Sequence, residues 1–594
     1  MGNGNCKVLS RIFGIATAVG MAALTGTAQA ASGGVGKVPE ARQVFMRDVP
    51  NFSATNSTAP RVIPRPRTGM PESTYQALKA QAASPHGVPL PVTLNGPPQP
   101  QPVQATGRET PIASLNFDGD AEFEACSFDT PADQALAIGD GKNPILQAVN
   151  VCLSVWNTAG TRLLGPKDLV SFFGLPAGTF TSDPRALYDW YNHRFIVTLL
   201  DSSCPNGGCT SSTNNYNIAV SQSDDPTLGW WIYRIPVQSA TNALNDFPRV
   251  GQDRAATYPI TTGTKFPGAI YLASNLFSNL SGAYLNEEWL VLPKAAMYNG
   301  QSFSFWFFFG MTSGGVVTDT TQPVNVWNPY DNPRAEFLIT SKDFFCTSSC
   351  NGLTVWAISN PFGFVTGGPS PELTGVVIST VNNYSQPPNA VQPGSSTLID
   401  TNDTRISGEA TYQSGSIYAS NESANGTGGV SSLIYRVQPQ LNINDGARCT
   451  GAFLNLCPQI TGATELNESV LNYGGTSAAY FAVPQPDPEG NINTVFTFSS
   501  ATQYAGLAYI SQRVTQANNT FVDLGFFLQS GSAPAYTQLR WGDYNAVAPA
   551  GVAYKAGDGG KVSTPGFGFS GMYASGNTWR TRIGFNQFTG PGQP

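Results

Sequence analysis

A short Asp-to-Arg motif that recurs along the chain constrains the fold more than any other feature of the sequence. Asp183-Pro184-Arg185 is echoed by Asp246-Phe247-Pro248-Arg249, by Asp331-Asn332-Pro333-Arg334 and by Asp403-Thr404-Arg405. A pair of predicted strands follows each copy, and the copies stand roughly 50 to 85 residues apart, which is enough for one small sheet each. The chain is therefore predicted to build the same sheet several times in succession.

Three further segments extend this repeat to seven units. Asp133-Gln134-Ala135-Leu136 occupies the equivalent place upstream without an arginine, and Arg540-Trp541-Gly542-Asp543-Tyr544 opens the last unit in altered form. Another unit begins near Asn472-Tyr473-Gly474-Gly475. We therefore predict an all-β fold, a seven-bladed β-propeller of four-stranded antiparallel blades. A pair of β-sandwiches is the alternative architecture.

Composition agrees with short strands and many turns. Only 12% of the residues are charged, while Gly and Pro number 62 and 45 of 594. Turn residues separate short apolar runs such as Ile145–Val149, and no stretch keeps helical periodicity over three turns. Residues 114–117 form a strand that precedes the first unit. We predict that this strand completes the last blade beside residues 580–588 and so closes the ring.

The first thirty residues have the features of a signal peptide. Lys7 and Arg11 precede an apolar stretch over residues 12–24, and Ala28-Gln29-Ala30 supplies small residues for cleavage after Ala30. The apolar run is too short to span a membrane. We therefore expect export to the periplasm or the medium. The net charge of −7 provides no basic surface, so nucleic acid is not an expected partner.

The remaining chain is predicted to have two parts. Residues 31–111 are rich in Pro, Ser and Ala and form an extended linker or a strap laid over the domain, with one short helix at Glu72–Ala82. Residues 112–594 form the propeller domain. Eight cysteines follow the signal peptide, an even number that suits disulfides in an oxidising compartment. The predicted pairs are Cys126 with Cys152, Cys204 with Cys209, Cys346 with Cys350, and Cys449 with Cys457.

Several of these motifs resemble a group of exported bacterial seven-bladed propeller proteins. Ala148-Val149-Asn150 with Val155-Trp156-Asn157 is similar to their opening blade, and Ser182-Asp183-Pro184-Arg185 to their second blade. Arg540-Trp541-Gly542-Asp543-Tyr544 with Trp579-Arg580-Thr581-Arg582 resembles their ending. The resemblance implies the propeller architecture. It carries over no catalytic residues, because the members are mostly uncharacterised.

The repeated arginines are the first candidate for ligand binding. In a propeller, equivalent positions of successive blades lie at equal height around the axis, and a guanidinium binds carboxylate, sulfate or phosphate groups through two bonds. The candidate ligand-binding residues are Arg185, Arg249, Arg334, Arg405, Arg540, Trp541 and Asp543. In the alternative, each arginine pairs with an aspartate of its own or the next blade and ties the blades together. Recurrence with the repeat favours this structural alternative.

Two further sets of residues are candidates for binding. Asp118, Asp120 and Glu122 alternate along a predicted strand, so their carboxylates would share one face and could bind Ca²⁺. A solvated acidic edge that discourages aggregation is the alternative. Aromatic residues are dense over positions 303–309, where alternation sends some rings into the core, while a minority could stack on sugars together with the loop residues Trp327, Tyr330 and Trp541.

The sequence does not single out catalytic residues. His86 and His193 are the only histidines, no GxSxG motif occurs, and His193 is predicted in a hairpin turn. We expect an exported propeller that binds an extracellular ligand, an anionic or other polysaccharide, at one face of the ring. The alternatives are a polysaccharide lyase or glycoside hydrolase on acidic polysaccharide, and a cell-surface adhesin or structural envelope protein.

Overall fold

The computed structural model shows a chain built almost entirely of β-strands. It describes residues 27–29, 32–52, 61–62, 70–84, 89–102, 110–123, 129–140, 144–204, 208–253, 268–331, 333–343, 345–362, 370–442, 458–538, 540–550 and 566–588. The all-β class predicted from the repeat is confirmed. No helix in these ranges is long and apolar enough to cross a membrane.

The first four repeats along the chain are units of four antiparallel strands. Unit 1 consists of Ala135–Ile138, Ile145–Val149, Cys152–Trp156 and Arg162–Asp168. Unit 2 consists of Phe180–Asp189, Arg194–Ser202, Asn214–Ser221 and Gly229–Pro236. Unit 3 consists of Ala243–Gln252, Ala269–Ser278, Tyr284–Pro293 and Phe303–Phe309. Unit 4 consists of Gln322–Asn325, Glu336–Ser341, Leu353–Ser359 and Glu372–Ile378.

Three more units complete the described part of the chain. Unit 5 consists of Ala410–Gln413, Ser416–Ala424, Val430–Asn442 and Gln459–Leu471. Unit 6 consists of Ala478–Pro486, Ile492–Ser499, Gly506–Gln512 and Phe526–Gln529. Unit 7 consists of Ala546–Ala550, Gly566–Ser575, Thr578–Asn586 and the early strand Leu115–Ala121. The prediction that a strand before the first repeat completes the last sheet is confirmed.

The first strands of the units contact one another in a closed cycle. Each contacts the first strand of the next unit, and Ala546–Ala550 of unit 7 contacts Ala135–Ile138 of unit 1. Short parallel bridges such as Gln252 with Asn325 join several units into one continuous sheet of 21 strands. The seven first strands therefore enclose a common region, which we refer to as the axis.

In each unit a left-handed residue lies within the first strand or in the residues that lead into it, and this backbone feature accompanies the sequence repeat. These residues and their φ angles are Asp133 (41°), Asp183 (55°), Phe247 (52°), Thr320 (48°), Asn402 (55°), Phe481 (53°) and Gly542 (135°). In units 2, 3 and 6 the register of the first strand shifts at this point, as in a bulge. Such a bend re-aims the residues that follow it, and Arg185 and Arg249 come two positions after it.

One copy of the sequence motif does not occupy this position. Arg334 lies between the first and second strands of unit 4. Gln322 instead follows the left-handed Thr320 by two positions, as Arg185 follows Asp183. The prediction that Arg334 belongs to the same ring of positions as Arg185 and Arg249 is therefore not supported by the register. The Asp-to-Arg spacing alone does not reveal the backbone conformation.

The apolar core lies between neighbouring sheets. Leu187 of unit 2 packs in one buried cluster with Leu272 of unit 3, and Val483 of unit 6 packs with Phe569 of unit 7. Each sheet therefore buries apolar side chains on two faces, which explains the nearly continuous burial of its inner strands. Several buried charged side chains, among them Arg185, Arg249 and Arg405, lie at the axis.

The segment before the units runs along their outer edges. Ser32–Val38 pairs with Phe303–Phe309 of unit 3, and Arg42–Phe45 pairs with Gly229–Pro236 of unit 2. Further on, Gln99–Pro100 pairs with unit 6. The remaining short elements are the strands Thr27–Gln29, Arg61–Val62, Asp129–Thr130, Thr312–Ser313 and Val316–Val317, the 3₁₀ helix Met46–Asp48, and the helices Glu72–Ala82, Leu169–Phe173 and Lys294–Met297. The helix predicted at Glu72–Ala82 is confirmed.

Two of the predicted disulfides are present among the described residues. Cys204 bonds Cys209 and Cys346 bonds Cys350, and both bridges close small loops as expected. Cys152 is also disulfide-bonded. The other predicted cysteines, Cys126, Cys449 and Cys457, lie outside the described residues. These bonds fit an oxidising compartment, whereas the signal peptide and the domain boundaries stay predictions.

Glycines in the strand Ser32–Val38 allow it to lie against the aromatic strand of unit 3. A Cβ atom on Gly36 would stand 2.2 Å from the Phe305 ring, and one on Gly34 would stand 2.7 Å from the Phe307 ring. Phe305 is completely buried, so its ring has no space to move. The aromatic rings therefore fit across this strand only because the side chains opposite them are absent.

We expect Gly36→Val to destabilise the protein by about 1–3 kcal/mol, because its side chain would overlap the buried Phe305 ring. The thermal unfolding midpoint measures the effect. Lys37→Val is the matched control, since Lys37 is exposed on the same strand and the variant carries the same new side chain. Equal midpoints for the two variants would contradict this account of the packing.

Candidate functional site

Three of the repeated arginines converge at the axis around one phenylalanine. The guanidinium carbons of Arg185, Arg249 and Arg405 lie 5.2, 5.7 and 5.3 Å from the centre of the Phe247 ring. Arg185 also lies 3.3 Å from the centre of the Tyr544 ring. All five side chains are buried. At this level the axis is filled by an aromatic ring and is not an open channel.

Two of the predicted ligand-binding arginines, Arg249 and Arg405, have carboxylate partners. Arg249 donates to Glu287 at 2.7 Å, and Arg405 makes two bonds to Asp403 at 2.7 and 2.6 Å. Desolvation, only partly offset by Glu287, lowers the pKa of Arg249 to about 10. The geometry therefore matches the structural alternative, in which the arginines stabilise the ring.

The other predicted ligand-binding residues also contact protein groups. Arg540 is buried and paired with Asp543, and Trp541 is 2% exposed with its ring against Tyr536. Arg185 donates to the Pro248 carbonyl oxygen at 3.2 Å. Arg334 is only partly buried and lies between the first two strands of unit 4. The structure does not gather this set on one accessible surface, and its role in ligand binding stays a prediction.

A cluster of three aspartates lies at the start of the first strands of units 7, 1 and 2. Oxygens from Asp133, Asp183 and Asp543 all lie within 4.8 Å of one another, and the three side chains are buried. This oxygen-only arrangement could hold a metal ion. We refer to these three residues as the axial carboxylate cluster.

Hydrogen bonds fix two of the three carboxylates. Asp133 accepts from the Asn150 side chain at 2.8 Å and from the Asp543 backbone at 2.9 Å. Asp543 accepts from the Asn402 side chain at 3.0 Å and pairs with Arg540. Burial, followed by repulsion from Asp543, raises the pKa of Asp133 to about 7. Burial and the neighbouring carboxylates also raise the pKa of Asp183.

A helix and a connecting segment cover this end of the axis. Residues 379–409 connect units 4 and 5, and Asn402 in this connector contacts the axial carboxylate cluster. On the connector lies the helix Glu72–Ala82, where Tyr75 donates to Asp400 at 2.9 Å and Lys79 donates to Thr401 at 2.8 Å. Tyr75 and Lys79 are each 1% exposed. A polymer therefore has no direct access to the cluster in this conformation.

The predicted calcium residues have separate partners. Asp118 is partly exposed and pairs with Arg582 at 2.7 Å, whereas the buried Asp120 pairs with Arg162 at 2.9 Å. Glu122 accepts from the Trp579 backbone at 3.0 Å. Neighbouring strands supply each carboxylate with its own donor, so the three do not share one site. The acidic residue that follows them, Glu124, lies outside the described residues.

One histidine forms an ion pair that the sequence did not predict. His193 Nδ1 lies 2.6 Å from an oxygen of Asp140, which belongs to unit 1, and Tyr188 donates to the other oxygen. The hydrogen bond to Asp140, opposed by burial, raises the pKa of His193. Burial opposes the shift at Asp140, but the bonds from His193 and Tyr188 outweigh it and lower that pKa. His86 lies outside the described residues.

Several aromatic rings of unit 3 remain accessible. Trp306, Phe307 and Phe309 are partly exposed, whereas Phe303, Phe305 and Phe308 are buried. The Phe307 and Phe309 rings are nearly parallel, with centres 6.0 Å apart and planes inclined by 22°. Of the loop aromatics predicted for sugar contact, Trp327 and Trp541 are buried and Tyr330 is 44% exposed.

The axial carboxylate cluster was within reach of the sequence, but its convergence was not recognised. The sequence repeat places all three aspartates at the start of repeat units. Units 7, 1 and 2 become neighbours once the ring closes, so equivalent positions in them are brought together. The partnership of Asp140 with His193 gave no comparable signal, since it depends on two turns from different units.

No family model and no curated protein matches the chain. Among solved structures it is similar to an exo-β-1,3-galactanase from Phanerochaete chrysosporium, with 10% identity over 77% of this chain and 94% of that chain and a TM-score of 0.26. It is also similar to an ulvan lyase, with 10% identity over 80% of this chain and 97% of that chain and a TM-score of 0.30. An N-acetylgalactosamine deacetylase from F. plautii is 9% identical over 84% of this chain and 95% of that chain, with a TM-score of 0.27.

These three proteins are carbohydrate-active enzymes, but similarity at this level assigns no function or site to this chain. The site is therefore argued from its own geometry. The resemblance to exported bacterial propeller proteins, stated from the sequence motifs, stays a prediction.

We expect Arg249→Met to destabilise the protein by about 3–5 kcal/mol, because it leaves Glu287 buried without its cation. Arg249→Met combined with Glu287→Gln should recover most of that loss, since the second change removes the unpaired charge. Urea denaturation measures the free energy of unfolding of the single and the double variant. An Arg249→Met variant that keeps its stability but loses binding to an acidic polysaccharide would instead support the ligand role.

The pair of His193 and Asp140 should stabilise the protein in a limited pH range. The raised pKa of His193 means that its contribution is complete below about pH 6.5 and is lost as pH rises through the folded-state pKa. The lowered pKa of Asp140 means that its contribution is lost only as pH falls through a value under about 4. The thermal midpoint of the natural protein should therefore exceed that of His193→Asn most at about pH 5.

His193→Asn is chosen because His193 has a φ of 56°, a conformation that asparagine adopts readily. The thermal midpoints of the two proteins should become equal toward about pH 9, where the imidazole is neutral. A difference in thermal midpoint that stays constant from acid to alkaline pH would show that the pair contributes no charge-dependent stability.

Proposed function

We propose that the seven units are the blades of a β-propeller. The proposal rests on the closed cycle of contacts between the first strands, in which unit 7 returns to unit 1. Neighbouring units also share apolar clusters, as blades packed face to face must do. The use of Leu115–Ala121 in unit 7 joins the two ends of the repeat region and accounts for closure.

We further propose that this propeller is exported and binds an extracellular polysaccharide at the rim of unit 3. The observation that carries the proposal is the pair of nearly parallel, partly exposed rings of Phe307 and Phe309, with centres 6.0 Å apart. Flat aromatic faces suit sugar rings, which present C–H groups on one side. Two rings at this spacing offer contacts to successive sugars of one chain.

The strand Ser32–Val38 holds these rings in place. Phe307 is paired with Gly34, and a Cβ atom on Gly34 would overlap the ring at 2.7 Å. Phe307 therefore lies directly against the backbone of the neighbouring strand. Lys37 pairs with Ser304, so it points to the opposite face of the sheet and leaves the aromatic pair without a neighbouring cation from this strand.

The rim is favoured over the axis because the axis is closed. Phe247 fills the axis among the arginines, and the helix Glu72–Ala82 with the connector covers the axial carboxylate cluster. A lyase or hydrolase on a polymer would need that cluster to be accessible. Non-catalytic binding at the surface needs no such rearrangement.

The binding proposal is tested by affinity electrophoresis of the purified protein in gels that contain neutral or acidic polysaccharides. At least one polymer should retard the protein. Phe307→Ala and Phe309→Ala should each weaken that retardation about tenfold in dissociation constant, equivalent to ~1.4 kcal/mol for one stacked ring.

Two matched variants serve as controls. Leu280→Ala removes an apolar side chain that is 61% exposed elsewhere on unit 3, and Tyr330→Ala removes the exposed loop aromatic of unit 4. Both should bind as the natural protein does. The proposal fails if no polysaccharide retards the protein, or if Tyr330→Ala abolishes binding while the two Phe variants retain it.

A further inference from the structure

The axial carboxylate cluster contains more acceptor atoms than the protein supplies with donors. Asp183 is 4% exposed, and within the described residues its carboxylate accepts no hydrogen bond. Oδ2 of Asp543 is also buried without a partner. A carboxylate in this situation is expensive to keep ionised, so either a proton or a cation must compensate it.

The unpartnered carboxylate of Asp183 points into a ready set of ligands. Its oxygen lies within 4.8 Å of oxygens from Asp133 and Asp543. Ca²⁺–oxygen distances are about 2.4 Å, so two oxygens bound to one ion can stand at most ~4.8 Å apart. The three oxygens therefore satisfy the distance condition for binding one ion together.

The charge of the cluster favours a divalent cation. Three carboxylates meet, and Arg540 is the cation that pairs with one of them, Asp543. Asn150 and Asn402 contribute neutral donors only, to Asp133 and Asp543. Arg185 also interacts favourably with Asp183, but Asp246 adds a further negative charge beside it. Negative charges therefore still outnumber positive charges around the cluster.

The ligand chemistry favours calcium among the divalent cations. All the candidate ligands are oxygens, which hard cations prefer and which soft transition metals do not select. Mg²⁺ usually keeps several waters, whereas Ca²⁺ accepts six to eight oxygens in irregular geometry. A buried site formed by carboxylates from three different units suits the larger and more adaptable ion.

We propose that Asp133, Asp183 and Asp543 bind one Ca²⁺ ion, and that this ion ties units 7, 1 and 2 together where the ring closes. Unit 7 is the unit assembled from both ends of the repeat region, so an ion at this place stabilises the closure directly. Through Asn402 it also supports the connector on which the helix Glu72–Ala82 lies.

The experiment uses the full-length protein freed of metal with a chelator. CaCl₂ should raise the thermal midpoint by about 3 °C or more at saturating concentration, and MgCl₂ should raise it less. Equilibrium dialysis with radioactive calcium should add at least one bound ion per chain. Asp183→Asn should remove one bound ion and abolish the calcium-dependent rise.

Asp224→Asn is the matched control, because Asp224 is an exposed aspartate in a surface hairpin. This variant should keep both the bound ion and the rise. If Asp183→Asn fails to fold, calcium dialysis of the natural protein still decides the matter, because no bound ion overturns the proposal. The proposal is also overturned if Asp183→Asn binds as much calcium as the natural protein. It is overturned as well if Asp183→Asn has a higher thermal midpoint than the natural protein by the same amount with and without calcium, because the natural partner of Asp183 would then be a proton.

Discussion

The packing of seven first strands around one axis is the constraint on which the rest of this structure depends. At that radius the strands are closest, and charged side chains point inward from several units. An isolated buried charge there would cost several kcal/mol, and several of these side chains are paired. Arg249 with Glu287 and Arg405 with Asp403 are such pairs. Phe247, in a left-handed conformation, fills the space between the guanidinium groups.

Closure of the ring removes most sheet edges, and the segment before the units covers several of those that remain. An open outer strand exposes unpaired backbone groups that promote aggregation. Ser32–Val38 and Arg42–Phe45 pair with the outer strands of units 3 and 2, so those edges are occupied by the chain itself. The segment is therefore part of the folded structure wherever it is described, and its glycines leave space for the aromatic rings they contact.

The separation of apolar and charged side chains within the molecule also determines where a ligand can bind. Apolar side chains fill the spaces between the sheets, and several charged side chains lie at the axis, where the connector covers the axial carboxylate cluster. What remains for an external ligand is the surface. Phe307 and Phe309 are partly exposed there, and the residues paired with them on the neighbouring strand, Gly34 and Ser32, are small. The buried carboxylates suit a small ion, which needs no open channel.

The sequence by itself determined the strand class, the succession of units and the early strand of unit 7, because those depend on local turn residues and on a recurring motif. It also placed the helix at Glu72–Ala82 and two disulfides, which depend on short separations. The tertiary structure alone decided that Arg334 stands apart from the other arginines, that Asp140 pairs with His193, and that Asp133, Asp183 and Asp543 meet. Such contacts join residues far apart in the chain, and only the angle and height at which each unit packs bring them within bonding distance.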